Sequence, residues 1–311
     1  MTVRAPAWRS LAIVAVGAGL GYAVLGLHSD PLADEGFHVS QAKAFFDGQL
    51  VILRGTAMVP GYHAVLALVE RTFGHHGVVF LRSINLLGSL LLPVLVWRLV
   101  ALYTPAEAAR RATQWFLMPL LFPLYFLVYT DAWALVAVLT TFLCTLQRRY
   151  VLAAAAAAVA TLLRQDMIVW AGMAWLLAVL GDGDVGRWRA EWRQRLRPGL
   201  RRGLPLLVVP LAFAVFYVWN GGVAVGDRER QALRFNLTNI ACFLLCAWLV
   251  FLPQNIAALH RIRSLLRRPA CIALVLAGFA LYMASARIPT TSSRGMQATR
   301  PAPTRRSPTP K

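Results

Sequence analysis

The chain has 311 residues, of which 58% are hydrophobic and only 14% charged, where soluble domains average about 25% charged. Its formal net charge is +19, from 32 Lys+Arg against 13 Asp+Glu. This composition excludes a disordered chain and argues against a soluble α/β enzyme. It also argues against a nucleic-acid binder, because too little polar sequence remains to build a soluble basic surface. The class expected is all-α: a polytopic integral membrane protein with its positive charge gathered on one side. Cys144, Cys242, Cys246 and Cys271 lie inside apolar runs without metal-ligand spacing and read as small core hydrophobes.

A crossing helix needs roughly 20 apolar residues. The first run, Trp8 to Leu27, is too long for a signal peptide and reads as an uncleaved span. Its Gly17, Gly19 and Gly21 suit close helix packing better than a nucleotide loop. The next runs are 78–102, 113–129, 132–146, 150–163, 167–180, 204–219, 237–259 and 270–286, giving about nine crossings. Residues 113–147 as one helix would measure about 52 Å, so the chain is expected to turn near Tyr129-Thr130-Asp131. Residues 150–180 would measure about 46 Å, and Arg164-Gln165-Asp166 interrupts them.

Charge fixes the orientation. Nine crossings put eighteen basic residues inside, seven of them in an expected inner loop at 181–203, and leave eight outside and six in the tail. Nine of the thirteen acids fall outside: Asp30, Asp34, Glu35, Asp47, Glu70, Asp131, Asp166, Asp227 and Glu229. The apolar stretch 57–73 contains Pro60, Gly61, His63 and Glu70 and reads as a re-entrant or interfacial helix. Residues 1–286 are therefore expected to form one membrane domain whose outer loop, 28–77, carries short helices and the catalytic groups. The Pro/Arg/Thr-rich tail, 287–311, is expected to be disordered.

The outer face collects the chemistry-bearing side chains. Over 35–48 a helix would place Asp34, His38 and Gln41 on one face by i,i+4 and i,i+3 spacing. Asp34 could equally cap that helix, with Glu35 in its first turn, or join Glu35 and His38 around a metal. Arg82 sits four residues into a span, with Asn85 one turn later; it can snorkel, meet an acid, or hold a lipid phosphate. Asp131 and Arg164 both fall at outer helix ends, where a simple ion pair would account for them. Asn220-Gly221-Gly222 and Gly226-Asp227 mark tight turns in a later outer loop. Asn236-Leu237-Thr238 matches a glycosylation acceptor but abuts a span and is discounted. No pseudo-repeat of broken helices is visible, which favours an enzyme acting on a lipid-linked substrate over a transporter or flippase of lipid-linked sugars.

Several motifs, in one order across about 30–240, give the chain a family likeness. They are Asp34-Glu35-x-Phe37-His38-x-x-Gln41-Ala42, Pro60-Gly61-Tyr62, Leu81-Arg82-Ser83-Ile84-Asn85 and Pro123-Leu124-Tyr125-Phe126 with Tyr129-Thr130-Asp131. Then follow Leu163-Arg164-Gln165 with Ile168-Val169-Trp170, and Asn220-Gly221-Gly222-Val223-Ala224-Val225-Gly226-Asp227. In these the chain resembles the Die2-type α-1,2-glucosyltransferases, GT-C class membrane enzymes that use dolichyl-phosphate glucose in N-glycan precursor assembly. It departs from them at Arg54–Val59, at Asp166-Met167 and in the tail, which reads as a truncated or frameshifted end and makes an inactive relative the third alternative.

The resemblance implies a polyprenyl- or dolichyl-phosphate glucose donor, a lipid-linked or glycan acceptor, contact with membrane lipids, and no nucleic acid. It implies an integral membrane location, in the endoplasmic reticulum or, for a bacterial chain, the inner membrane. A polyprenyl phosphate is already a good leaving group, so the reaction needs a base for the acceptor hydroxyl and cations for the phosphate. The resemblance suggests Asp34 as that base, with Glu35 next. Arg164 and Arg82 suit phosphate. His38, Gln41, Asn85, Asp131, Gln165, Asn220 and Asp227 complete the expected substrate-binding set, and no cofactor or metal is called for.

Overall fold

The computed structural model describes residues 7–181 and 185–226, with backbone alone over most of 185–195, and isolated helical positions between 244 and 277. The chain divides into two units, Met1–Ala232 and Leu233–Lys311; every helix below belongs to the first. Apart from those isolated positions, the expected spans 237–259 and 270–286 lie outside the described residues, as do Asp227, the acceptor sequence at Asn236, Cys242, Cys246, Cys271 and the tail.

All regular structure among the described residues is helical. Helix α1 (Ala7–Gly21) continues through a π-helical turn to Gly26. Helices α4 (Gly77–Ser89) and α5 (Leu91–Ala101) follow one another with a break at Leu90. Pro93 supplies the cause, since its ring lacks an N–H and collides with the carbonyl four residues back, that of Ser89. Helix α10 (Val185–Asn220) has 36 residues and is about 54 Å long at 1.5 Å per residue. Among the described residues, three segments, Trp8–Gly26, Gly77–Ala101 and Leu196–Asn220, are long and apolar enough to cross a membrane. Helices α7 (Thr130–Leu146), α8 (Tyr150–Leu163) and α9 (Ile168–Leu180) are apolar but shorter. Large apolar side chains stand exposed along this framework, among them Leu11, Val16, Leu20, Val24, Val151, Leu176 and Val215. That suits a surface facing lipid.

Two sequence expectations need correction. The run 113–129 is not a continuous helix. Helix α6 (Ala108–Phe116) stops, and turns with a short 3-10 segment, Phe122–Tyr125, lead into α7. Pro119 and Pro123 remove backbone donors from this stretch, and its carbonyls are taken by a side chain of α4 as described below. Residues 181–203 are not a loop either. From Val185 on they form the first half of α10, because Arg, Leu, Gln and Glu are good helix formers whatever their charge.

Small residues let the later helices approach closely. Ala153 and Ala157 of α8 bury against Ala171, Ala174 and Ala178 of α9 and Leu206 and Val209 of α10. A second core surrounds Phe116, Tyr125 and Phe126 beside α1 and α5. A third carries the site. In it, Ala42 of α2 (Glu35–Phe46) and Tyr62 and Leu66 of α3 (Gly61–Phe73) pack with Leu81, Val128, Ala134, Val138, Ala160 and Leu163. Helices α2 and α3 are thus bolted to α4, α7 and α8. Gly61 permits the closest of these contacts: a Cβ there would lie 2.2 Å from the Leu162 carbonyl oxygen. Gly61→Ala is expected to destabilise the protein by about 1–3 kcal/mol, as overpacking does, and to lower the thermal midpoint measured in detergent.

Candidate active site

Helix α2 begins where the chain leaves a turn at Ala33, whose φ of +51° places an alanine in the left-handed region, a costly conformation for a residue with a Cβ. The turn sends Asp34 outward and Glu35 inward. Glu35 is fully buried and its carboxylate is saturated by four donors. Arg82 Nε and Val128 N–H reach Oε1 at 2.9 and 2.7 Å, and Arg82 Nη2 and Leu32 N–H reach Oε2 at 2.5 and 2.9 Å. The buried Arg82 also donates to the backbone carbonyls of His28 and, at 2.9 Å, Asp30. One ion pair therefore holds four chain segments together.

Asn85, one turn on, does the same for the irregular stretch. Its Nδ2 donates to the carbonyls of Leu124, Tyr125 and Leu127 at 3.0, 3.1 and 2.7 Å, and its Oδ1 accepts from Tyr62 Oη at 2.9 Å. Non-helical backbone at membrane depth survives only when such partners are supplied from within the protein. Gln41 pins the strap after α2, donating to Val51 O at 2.8 Å and accepting from Leu53 N–H at 2.7 Å. Gln165 pins its far end, donating to Ala57 O at 2.9 Å and accepting from Val59 N–H at 3.0 Å. Asn220 donates to Gly222 O and Ala224 O at 2.8 and 2.9 Å, shaping the loop whose Val225 N–H meets Ala57 O at 3.2 Å.

This scaffold frames a cleft of about 410 Å³ lined by Asp34, Phe37, His38, Thr56, Tyr129, Thr130, Asp131 and Arg164, among others. Asp34 is exposed, and its carboxylate makes no hydrogen bond or ion pair among the described residues; its backbone N–H donates to Tyr129 Oη at 2.9 Å and its carbonyl accepts from Phe37 N–H at 3.1 Å. The capping bond expected of its side chain is absent. Arg164, 28% exposed, donates from Nη1 to Asp131 and from Nε and Nη2 to Asp166, both at 3.0 Å. A guanidinium has five N–H groups, so one on each Nη remains for an anion. His38 bonds to His63, and Glu35 is engaged by Arg82 and backbone N–H groups, so the alternative metal triad does not form. No three metal-ligating side chains converge among the described residues.

Of the expected site residues, the structure brings Asp34, His38, Asp131 and Arg164 to one cleft. It places Glu35, Gln41, Arg82, Asn85, Gln165 and Asn220 in the supports around it. Sequence reasoning missed Thr56 and Thr130, whose hydroxyls are buried at the cleft without a partner. The signal available for Thr130 was its place between Tyr129 and Asp131.

The sequence pattern described as the DIE2/ALG10 family matches residues 28–291, which covers every element of this cleft. The chain belongs to the DIE2/ALG10 family. It is 25% identical, over 80% of its length, to a protein of Arabidopsis thaliana named Dol-P-Glc:Glc(2)Man(9)GlcNAc(2)-PP-Dol alpha-1,2-glucosyltransferase. Proteins of the same name in Debaryomyces hansenii and Candida glabrata are 27% and 25% identical over 74% and 68% of the chain. The matched region spans 67%, 56% and 44% of these relatives' own lengths. No solved structure matches the chain.

Proposed function

We propose that this DIE2/ALG10 family member is a GT-C-like, nine-span glycosyltransferase of the endoplasmic reticulum or a bacterial inner membrane. It moves glucose in α-1,2 linkage from polyprenyl- or dolichyl-phosphate glucose to a lipid-linked or glycan acceptor at the outer or lumenal face, as in N-glycan precursor assembly. The observation that carries this reading is an unpaired carboxylate, Asp34, sharing a cleft with Arg164. Family membership and the relatives' name support the substrate class.

The acceptor O–H loses its proton to the Asp34 carboxylate as its oxygen attacks glucosyl C1. The C1–O bond to phosphate breaks, and polyprenyl phosphate leaves with the electron pair. Single displacement inverts a β-linked donor to an α product. The two remaining Arg164 N–H groups receive the charge growing on the phosphate, while Asp131 and Asp166 hold the guanidinium in place. Thr56 and Thr130 offer hydroxyl partners to the sugar.

The test is glucose transfer by the purified full chain in lipid nanodiscs, from glucosyl polyprenyl phosphate to a lipid-linked oligosaccharide. An α-1,2-linked product supports the reading. Lipid-sugar translocation in proteoliposomes with no transfer would replace it with a flippase. Arg164→Ala is expected to raise the donor KM roughly ten- to hundredfold, the worth of a charge-assisted contact. Unchanged binding of polyprenyl phosphate by that variant would remove Arg164 from the phosphate site.

A further inference from the structure

A histidine pair, His38 in the cleft wall and His63 packed against it, has no part in the steps above. His38 projects from α2 one turn after Asp34, and His63 from the first turn of α3. His38 Nδ1 and His63 Nε2 are 3.0 Å apart, and the two rings lie nearly parallel at 5.2 Å. His63 is fully buried and His38 is 6% exposed. Tyr62 sets its ring edgewise to both, and Tyr129 lies 5.3 Å from His38. Burial pushes His63 down to about 3, with His38 adding to the effect. Burial lowers His38 as well, against the opposing pull of Asp131. Both rings are therefore neutral at physiological pH, and one proton lies between them.

The remaining question is which nitrogen owns it. His63 Nδ1 is buried and has no partner. If His38 donated, His63 would have to carry its own proton on Nδ1, as an orphaned buried N–H. If His63 donates, Nδ1 is left as a bare lone pair, and native structures tolerate unsatisfied acceptors better than orphaned donors. The second arrangement puts the His38 proton on Nε2, the nitrogen not bonded to His63. His38 lines the cleft together with Asp34, Thr56, Thr130 and Arg164.

We propose that His63 is a positioning residue that locks His38 in the Nε2–H form, so that His38 donates a neutral hydrogen bond to an oxygen of the bound glucosyl phosphate. Locked in this way, His38 has no free lone pair on the cleft side and does not compete with Asp34 for the acceptor proton. The donor role rests on the transfer reading above; the tautomer lock does not.

The experiment labels the histidines of the full chain with nitrogen-15 in nanodiscs and reads the imidazole shifts at neutral pH. Signals are assigned by their loss in His38→Asn and His63→Phe. His38 protonated on Nε2 in the wild type, with a mixture of tautomers in His63→Phe, is expected. His38 protonated on Nδ1 would overturn the lock and leave the transfer reading untouched. Kinetically, His63→Phe is expected to raise the donor KM or lower kcat by roughly five- to tenfold, the scale of one neutral hydrogen bond. His63→Gln, whose amide N–H can still reach His38, is expected to restore most of the loss. Unchanged kinetics in His63→Phe with the tautomer mixed, or no rescue by His63→Gln although His38 is again held in the Nε2–H form, would overturn the donor role. A locked tautomer in a wild-type chain that transfers no sugar would overturn the transfer reading, and the donor role with it, and leave the lock standing.

Discussion

Arg82→Ala is expected to destabilise the protein by about 3–5 kcal/mol, the usual cost of leaving one member of a buried ion pair alone. Thermal unfolding in detergent measures it. Both side chains of the Glu35–Arg82 pair are fully buried. Without the guanidinium, Glu35 keeps only the Leu32 and Val128 N–H donors, and the carbonyls of His28 and Asp30 lose theirs. The segments 28–32, 35 and 128 would then part, and the cleft they frame would open. Replacing both partners, as Glu35→Leu with Arg82→Met, is expected to recover part of the loss, because no bare charge is buried. It should not recover all of it, since four backbone groups still lose their partner. An Arg82→Ala chain that unfolds like the wild type but no longer binds polyprenyl phosphate would return Arg82 to the substrate.

The sequence flagged Arg82 and Asn85 correctly as groups too polar for an apolar helix without partners. It could not say who the partners are, because a lipid phosphate and a buried backbone carbonyl satisfy an arginine equally well. Only the fold decides, by bringing His28, Asp30 and Glu35 onto Arg82 and the 124–127 carbonyls onto Asn85. Gln41 and Gln165 pose the same question, and the fold gives their amides backbone partners, Val51 and Leu53 for the first and Ala57 and Val59 for the second. The break at Arg164 and the Asp131–Arg164 pair were legible from helix length and charge alone, and the structure has both; the turn expected near Tyr129–Asp131 lies just before it, since α7 already begins at Thr130. Residues 113–129 were not legible. Hydropathy reports solvent, and an apolar stretch is placed as irregular chain when two prolines deny it a helix. The basic stretch 181–203 shows the converse: charge indicates a side of the membrane and says nothing of backbone conformation.

Asp34→Asn is expected to lower kcat by 10²–10⁴-fold, the range contributed by a positioned general base, with the donor KM and the unfolding midpoint nearly unchanged. The physical reason is the contrast with its neighbours. Asp131 shares the Arg164 guanidinium with Asp166, which keeps its carboxylate engaged in an ion pair. Glu35 has four donors on two oxygens and no access to the cleft. Asp34 alone among these carboxylates is exposed at the cleft with no partner for its oxygens, so removing its charge disturbs no bond of the fold. Glu35→Gln is expected to behave in the opposite way, losing stability first and activity in consequence. Asp131→Asn should loosen Arg164 and act mainly on the donor KM. Full turnover by Asp34→Asn, with activity lost instead in Asp131→Asn at unchanged donor binding, would move the base to Asp131 and leave Asp34 a bystander at the rim.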